Sequence, residues 1–196
     1  IAACDCTGHG VPGAFMSMIG KDQLNHIVVE KNVLSTADIL SQLNKGIKYA
    51  LHQDAHDELL VQDGMEIALL KIDTRKNELS FSGANRPLYV IRQSKLLEFT
   101  SDKFPIGGHT ENNYQFTSKN IPLYKGDMIY ICSDGYADQF GGVKGKKITT
   151  RGLKSLLTSI SHLSVKAQNL EVSRIFQDWK GGEEQVDDIL LIGIRI

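Results

Sequence analysis

The chain has 196 residues, with 22 Lys and Arg against 23 Asp and Glu and a net charge of -1. That balance removes the electrostatic case for nucleic acid or an anionic membrane as a partner. No apolar run approaches the length of a membrane span and no signal peptide is visible, so no direct membrane contact by this domain is expected. The three cysteines, Cys4, Cys6 and Cys132, lie in apolar strand-like runs. An odd number in such settings argues for structural thiols in a reducing, cytoplasmic compartment rather than a secreted disulfide framework, whatever tether a parent protein carries elsewhere. The length suits one well-buried core, a single domain over residues 1–196. It opens without methionine, inside an apolar strand, and so reads as an N-terminally truncated fragment of a larger protein.

In chain order, Ile1-Ala-Ala-Cys-Asp5 predicts a strand that turns through Thr7-Gly8-His9-Gly10 into a helix, with Pro12 as a first-turn residue. Met16, Ile19, Gly20, Leu24, Ile27 and Val28 keep helical spacing to about Glu30, and Gly20 signals close packing. Ser35-Thr-Ala-Asp38 is a capping-box-like start for a second helix over about 36–52. His52 to Asp63 reads as a polar loop whose His52 and His56 face solvent. Strands follow at Met65–Ile72, Glu78–Gly83, Pro87–Arg92, Leu96–Phe99, Tyr114–Ser118 and Asp127–Ser133. Two amphipathic helices carry Leu153 to Leu163 and Val172 to Trp179. A polar loop leads to a last strand over Val186–Ile194. Helices, many strands, then helices and a returning strand imply an α+β fold, a layered α-β-β-α sandwich of mostly antiparallel sheets flanked by helices.

Three acidic residues mark strand ends: Asp5, Asp134 in Ser133-Asp-Gly135, and Asp187 in Val186-Asp-Asp188. Converging carboxylates repel unless a cation neutralises them, and all-oxygen donors favour Mg²⁺ or Mn²⁺ over zinc. Gly8 and Gly135 would let backbone carbonyls or water complete the shell. Any one Asp-Gly turn on its own reads better as a cap. A phosphate loop at Gly8-His-Gly10 lacks the Lys-Ser/Thr that a P-loop needs. His9 suits a phosphate or a packed turn equally. Arg86 suits a surface ion pair better than a phosphate. Asp138–Ile148, containing Lys144, reads equally as a flap meeting a phosphoprotein or as a solvated loop.

The segments Asp5-Cys-Thr-Gly-His-Gly-Val-Pro-Gly-Ala-Phe15, Asp63-Gly-Met-Glu-Ile-Ala68, Gly83-Ala-Asn-Arg-Pro-Leu-Tyr89, Phe104-Pro-Ile-Gly107, Ser133-Asp-Gly-Tyr-Ala-Asp138 and Asp187-Asp-Ile-Leu190 occur in order across the chain. Together they resemble the bacterial branch of the metal-dependent, protein phosphatase 2C-like serine/threonine phosphatases, typified by the sporulation stage II protein E catalytic domain. The resemblance implies two Mn²⁺ or Mg²⁺ ions at one edge of a β-sandwich and a metal-bridging water as nucleophile. Asp5 would bridge the metals. Cys6, in preference to Gly8, would offer a backbone carbonyl, and Asp134 and Asp187 would hold one ion. His9, Arg86 and Lys144 are the candidate substrate contacts. The implied activity is hydrolysis of phosphoserine or phosphothreonine on a regulatory protein of the anti-sigma-factor-antagonist type, by the output domain of a signal-transduction protein. A further metal-binding Asp of the family, upstream of Asp5, is absent. The missing Asp leaves a second reading, an inactive pseudophosphatase serving as a binding or dimerisation module. The family's first strand, which would carry that Asp and pair with the strand ending in Asp5, is lacking too, and this predicts a weakened metal site and an exposed sheet edge that a homodimer could cover.

Overall fold

A computed structural model describes residues 1–8, 10–53 and 63–196. The elements are β1 (Ala2–Cys6), α1 (Gly10–Asn25) with a π-helical extension over His26–Glu30, α2 (Thr36–Ala50), β2 (Gly64–Asp73), β3 (Glu78–Ala84), β4 (Leu88–Arg92), β5 (Lys95–Phe99), β6 (Ile106–Gly107), β7 (Lys119–Pro122), β8 (Met128–Cys132), α3 (Gly135–Asp138), β9 (Phe140–Gly141), β10 (Lys146–Lys147), α4 (Thr149–Ile160), α5 (Val165–Lys180) and β11 (Leu191–Arg195). The fold is α+β with antiparallel sheets and helices, as the sequence predicts. The chain divides into two compact units: residues 1–88 with 100–122, and residues 89–99 with 123–196.

The first unit is built on the sheet β1-β2-β3-β7, with β6 also pairing β2. Its register sets Ala3 opposite Ala68, Cys4 opposite Ile67 and Asp5 opposite Glu66. Side chains alternate across a strand, and Ala2, Cys4 and Cys6 join the core formed by Met16, Ile27, Leu40, Leu43, Ile47, Met65 and Ile67. Gly20 marks a close approach of α1 to β2, a Cβ there lying 3.1 Å from the Met65 thioether. Ser35 caps α2 as expected, its hydroxyl accepting from Asp38 N at 3.3 Å. Val11, Phe15 and Met18 lie on the solvent side of α1.

The second unit carries the sheet β11-β8-β4-β5 and the hairpin β9–β10. Leu153 and Leu157 of α4 and Phe176 of α5 pack with Tyr89, Met128, Tyr130, Cys132 and Tyr136. At the turn into β8, Arg92 donates Nε to Asp127 Oδ1 at 2.9 Å and Nη2 to Oδ2 at 2.7 Å. Asp127 is 1% exposed, also accepts from Tyr124 N at 3.0 Å, and Arg92 stacks 4.2 Å from the Tyr124 ring centroid.

Three sequence expectations change. Tyr114–Ser118 is not a strand: two of its N–H groups are taken by side chains, Phe116 N by Ser41 Oγ at 3.1 Å and Thr117 N by Asp102 Oδ2 at 2.9 Å. The last strand begins at Leu191, because Leu190 N is bonded to Ser133 Oγ at 2.9 Å instead of a ladder partner. Finally, Asp138–Ile148 contains a short hairpin rather than only a loop.

Candidate active site

In the first unit Asp5 lies one residue before the end of β1, directly opposite Glu66 on β2. Two carboxylates in a facing cross-strand pair repel each other. The Arg86 guanidinium lies between them, its Nη2 3.0 Å from Asp5 Oδ2 and 2.5 Å from Glu66 Oε2. The turn from β3 to β4 is shaped to deliver it. A Cβ at Gly83 would overlap the Arg86 carbonyl oxygen, and Asn85 adopts a left-handed φ of 58° while donating Nδ2 to Glu66 Oε1 at 3.0 Å. Beyond Cys6 the chain is held by Thr7, whose N donates to Gly64 O at 2.9 Å and whose hydroxyl accepts from Gly64 N at 2.9 Å. Gly8 then turns at φ 87°, tight enough that a Cβ at Gly13 would come within 2.6 Å of its carbonyl oxygen.

Burial, reinforced by Cys6 and Asp5, pushes the Cys4 thiol from 9.0 up to about 12, and burial also raises Cys6. Both thiols stay protonated at neutral pH. His9 and His56 lie outside the described residues.

In the second unit β8 runs into Ser133, Asp134 and the one-turn α3. Ser133 ties this end to the segment before β11: its N donates to Leu190 O at 2.9 Å and its hydroxyl to Asp188 O at 3.0 Å. A Cβ at Gly135 would overlap that same Asp188 carbonyl. Asp134 and the Asp187–Asp188 pair are thus brought to one rim by backbone packing. Asp187 Oδ1 accepts from Asp188 N at 2.7 Å, and Gln185 Nε2 donates to Asp187 O at 2.9 Å. Gln139, fully buried, donates Nε2 to Phe140 O at 3.0 Å and to Glu184 O at 2.8 Å, joining the hairpin base to the acidic segment.

The hairpin is seated on Trp179. Gly142 N donates to Trp179 O at 2.7 Å, Trp179 Nε1 donates to Lys146 O at 3.2 Å, and Gly141 leaves no room for a Cβ against the Trp179 backbone. Lys144 is exposed at its tip, and Lys147 pairs with Asp138 at 3.0 Å.

Among the described residues no group of three or more His, Cys, Asp or Glu side chains is close enough to hold a metal ion. Among the described residues the carboxylates of Asp5, Glu66, Asp134 and Asp187 are oxygen donors of the kind a hard divalent cation takes, and Asp5 and Glu66 already hold a cationic group, the Arg86 guanidinium. Sequence reasoning missed Glu66, Asn85, Ser133 and Gln139. Glu66, the single acid inside the apolar run Met65–Ile72, Asn85 and Ser133 each lie within segments that carry the resemblance, whereas Gln139 lies outside them.

Comparison with solved structures finds the same fold in phosphatase domains. The SiaA PP2C domain of Pseudomonas aeruginosa superposes with a TM-score of 0.89 at 25% identity, covering 100% of this chain and 74% of that one. The SpoIIE phosphatase domain with a fragment of its regulatory domain, from Bacillus subtilis, gives 0.72 at 18% identity, covering 100% and 53%. The catalytic domain of the serine/threonine phosphatase PstP, in complex with two manganese ions, gives 0.65 at 16% identity, covering 98% and 85%. Comparison with curated proteins finds no match. No helix among the described residues is long and apolar enough to cross a membrane. The sequence profile of the stage II sporulation protein E (SpoIIE) family matches residues 1–196, and with the PP2C fold this places the chain in that family.

Proposed function

We propose that this chain is the catalytic domain of a Mn²⁺- or Mg²⁺-dependent serine/threonine protein phosphatase, the cytoplasmic output of a larger signalling protein. Its substrate is a phosphorylated regulatory protein of the anti-sigma-factor-antagonist type. The observation that carries the reading is a pair of acidic strand ends at glycine turns, in a chain matched over its full length by the SpoIIE profile. Asp5, the Cys6 carbonyl, Asp134 and Asp187 are the proposed donors to two ions. Bound divalent cations supply Lewis-acid activation of water and neutralise the charge that develops in phosphoryl transfer. The chain's own contribution is positional: Ser133 and Gly135 fix the Asp187–Asp188 backbone beside Asp134, and Thr7 fixes the exit of β1. Lys144 on the Trp179-seated hairpin, His9 and Arg86 are the proposed contacts to the phosphoprotein.

The test is hydrolysis of a phosphoserine peptide by the full-length protein with Mn²⁺ and with EDTA, beside its Asp134→Ala variant. The expected result is Mn²⁺-dependent turnover that falls at least about 100-fold in the variant, as removal of a direct metal ligand should cause. Equal turnover by the two proteins would sink the assignment.

A further inference from the structure

Arg86 does more than fill a surface ion pair. Its side chain is 12% exposed, its Nη2 serves Asp5 and Glu66 at once, and these two carboxylates face each other in the register of β1 and β2. The turn that carries it is pinned from both sides: Asn85 N donates to Asp102 O at 2.9 Å and Asp102 N to Gly83 O at 3.0 Å. Asn85 Nδ2 separately holds the other oxygen of Glu66. A guanidinium so presented is a fixed positive charge on the same carboxylate that the proposed function assigns to metal.

We propose that Arg86 is a tethered counter-cation for Asp5, which a divalent metal ion must displace from that carboxylate, and that Glu66 retains the guanidinium when it is displaced. The inference rests on the metal-dependent reading above. Two like charges cannot share one carboxylate in a partly desolvated site without weakening each other. Arg86 therefore lowers the affinity of the Asp5 site for metal while keeping the metal-free sheet end from repelling itself. Glu66, anchored by Asn85, gives the guanidinium a second position that costs no unpaired charge. The arrangement acts as a threshold: metal is taken up only when its concentration is high enough to outcompete a built-in cation.

The experiment is Mn²⁺ titration of the full-length protein by calorimetry, with thermal melts in EDTA, for wild type, Arg86→Gln, Arg86→Lys and Glu66→Gln. Arg86→Gln is expected to bind Mn²⁺ about tenfold more tightly, as loss of one like charge in a partly solvated site should give, and to melt lower in EDTA. Arg86→Lys keeps the charge and should restore affinity close to that of wild type. Glu66→Gln removes the retaining carboxylate and should weaken Mn²⁺ binding. Mn²⁺ binding to Arg86→Gln that is unchanged or weaker overturns the proposal and leaves the metal-dependent reading standing. Absence of Mn²⁺ binding in both wild type and Arg86→Gln overturns both. Binding by Arg86→Gln alone supports the displacement in its strongest form. If Arg86→Gln gives no cooperative melt, Glu66→Gln decides: unchanged or tighter binding there overturns the proposal.

Discussion

Each compact unit contains an arginine–aspartate pair, and the two are built differently. In the second unit Arg92 meets Asp127 through two parallel bonds, the carboxylate is 1% exposed, and Tyr124 supplies both a backbone N–H and a ring face. The neighbouring carboxylate raises the Arg92 pKa further above its ordinary value. In the first unit one nitrogen of Arg86 is divided between Asp5 and Glu66. A saturated fork-to-fork pair has nothing to exchange and serves as structure. A guanidinium shared between two repelling carboxylates relieves a conflict that the strand register creates, and that conflict is where a competing cation can act. Arginine–aspartate contact alone therefore says little about role; what else the carboxylate must face decides it.

The largest effect should come from breaking the saturated pair. Asp127→Asn is expected to cost about 3 kcal/mol in chemical denaturation, since it strands a guanidinium against a buried site. Glu66→Gln should cost only about 1 kcal/mol, because Asp5 still takes the charge; equal costs would erase the distinction between the pairs. Next, Gly135→Ala forces the Asp188 carbonyl outward and is expected to cost about 2 kcal/mol, the usual scale of overpacking. Retention of the wild-type denaturation midpoint would show that the rim of the second unit is not held by that contact.

A smaller effect is alkaline. Burial raises the Cys4 pKa from 9.0 to about 12, so the folded chain holds this proton more tightly than the unfolded one. Stability should be intact below pH 9 and fall from there toward pH 12, by about 1 kcal/mol at pH 10. Cys4→Ala should flatten that part of a urea-midpoint profile; an unchanged slope would show that the thiol beside Asp5 does not contribute. Smallest of all, Ser35→Ala removes the cap of α2, whose bond is 3.3 Å long, at about 0.5 kcal/mol by thermal denaturation.

The helices, the long strands and the Ser35 cap were legible because each depends on neighbours within a few residues. Asp5 and Asp134 stood out as acids at glycine turns, whereas Asp187, read as a strand end, lies four residues before β11 (191 minus 187) because Leu190 N is bonded to Ser133 Oγ instead of a ladder partner. What resisted reading was whatever depends on a distant partner. Glu66 acquires meaning only from a register that sets it opposite Asp5, 61 positions away by their numbers (66 minus 5). Arg86 read as a surface pair, and its pairing is real, but the partner and the burial follow from that same register. Tyr114–Ser118 has the alternation of a strand, yet Ser41 and Asp102 take two of its N–H groups. The β9–β10 hairpin has strands of two residues each, too short for any periodic signal, and rests on Trp179, which arrives 38 residues after Gly141 (179 minus 141).

The alternation along β1 has a consequence for the folded population as a whole. Ala2, Cys4 and Cys6 face the helix-covered core, while Ala3 and Asp5 face the other way. A slip of one residue would exchange these sets and push the Asp5 carboxylate into an apolar interior, at a cost of several kcal/mol. Folding therefore proofreads this strand: a molecule that has buried its core has, by the same act, oriented Asp5. A preparation should contain unfolded chains and correctly registered ones, with no soluble pool that is folded yet wrong at the acidic end of β1.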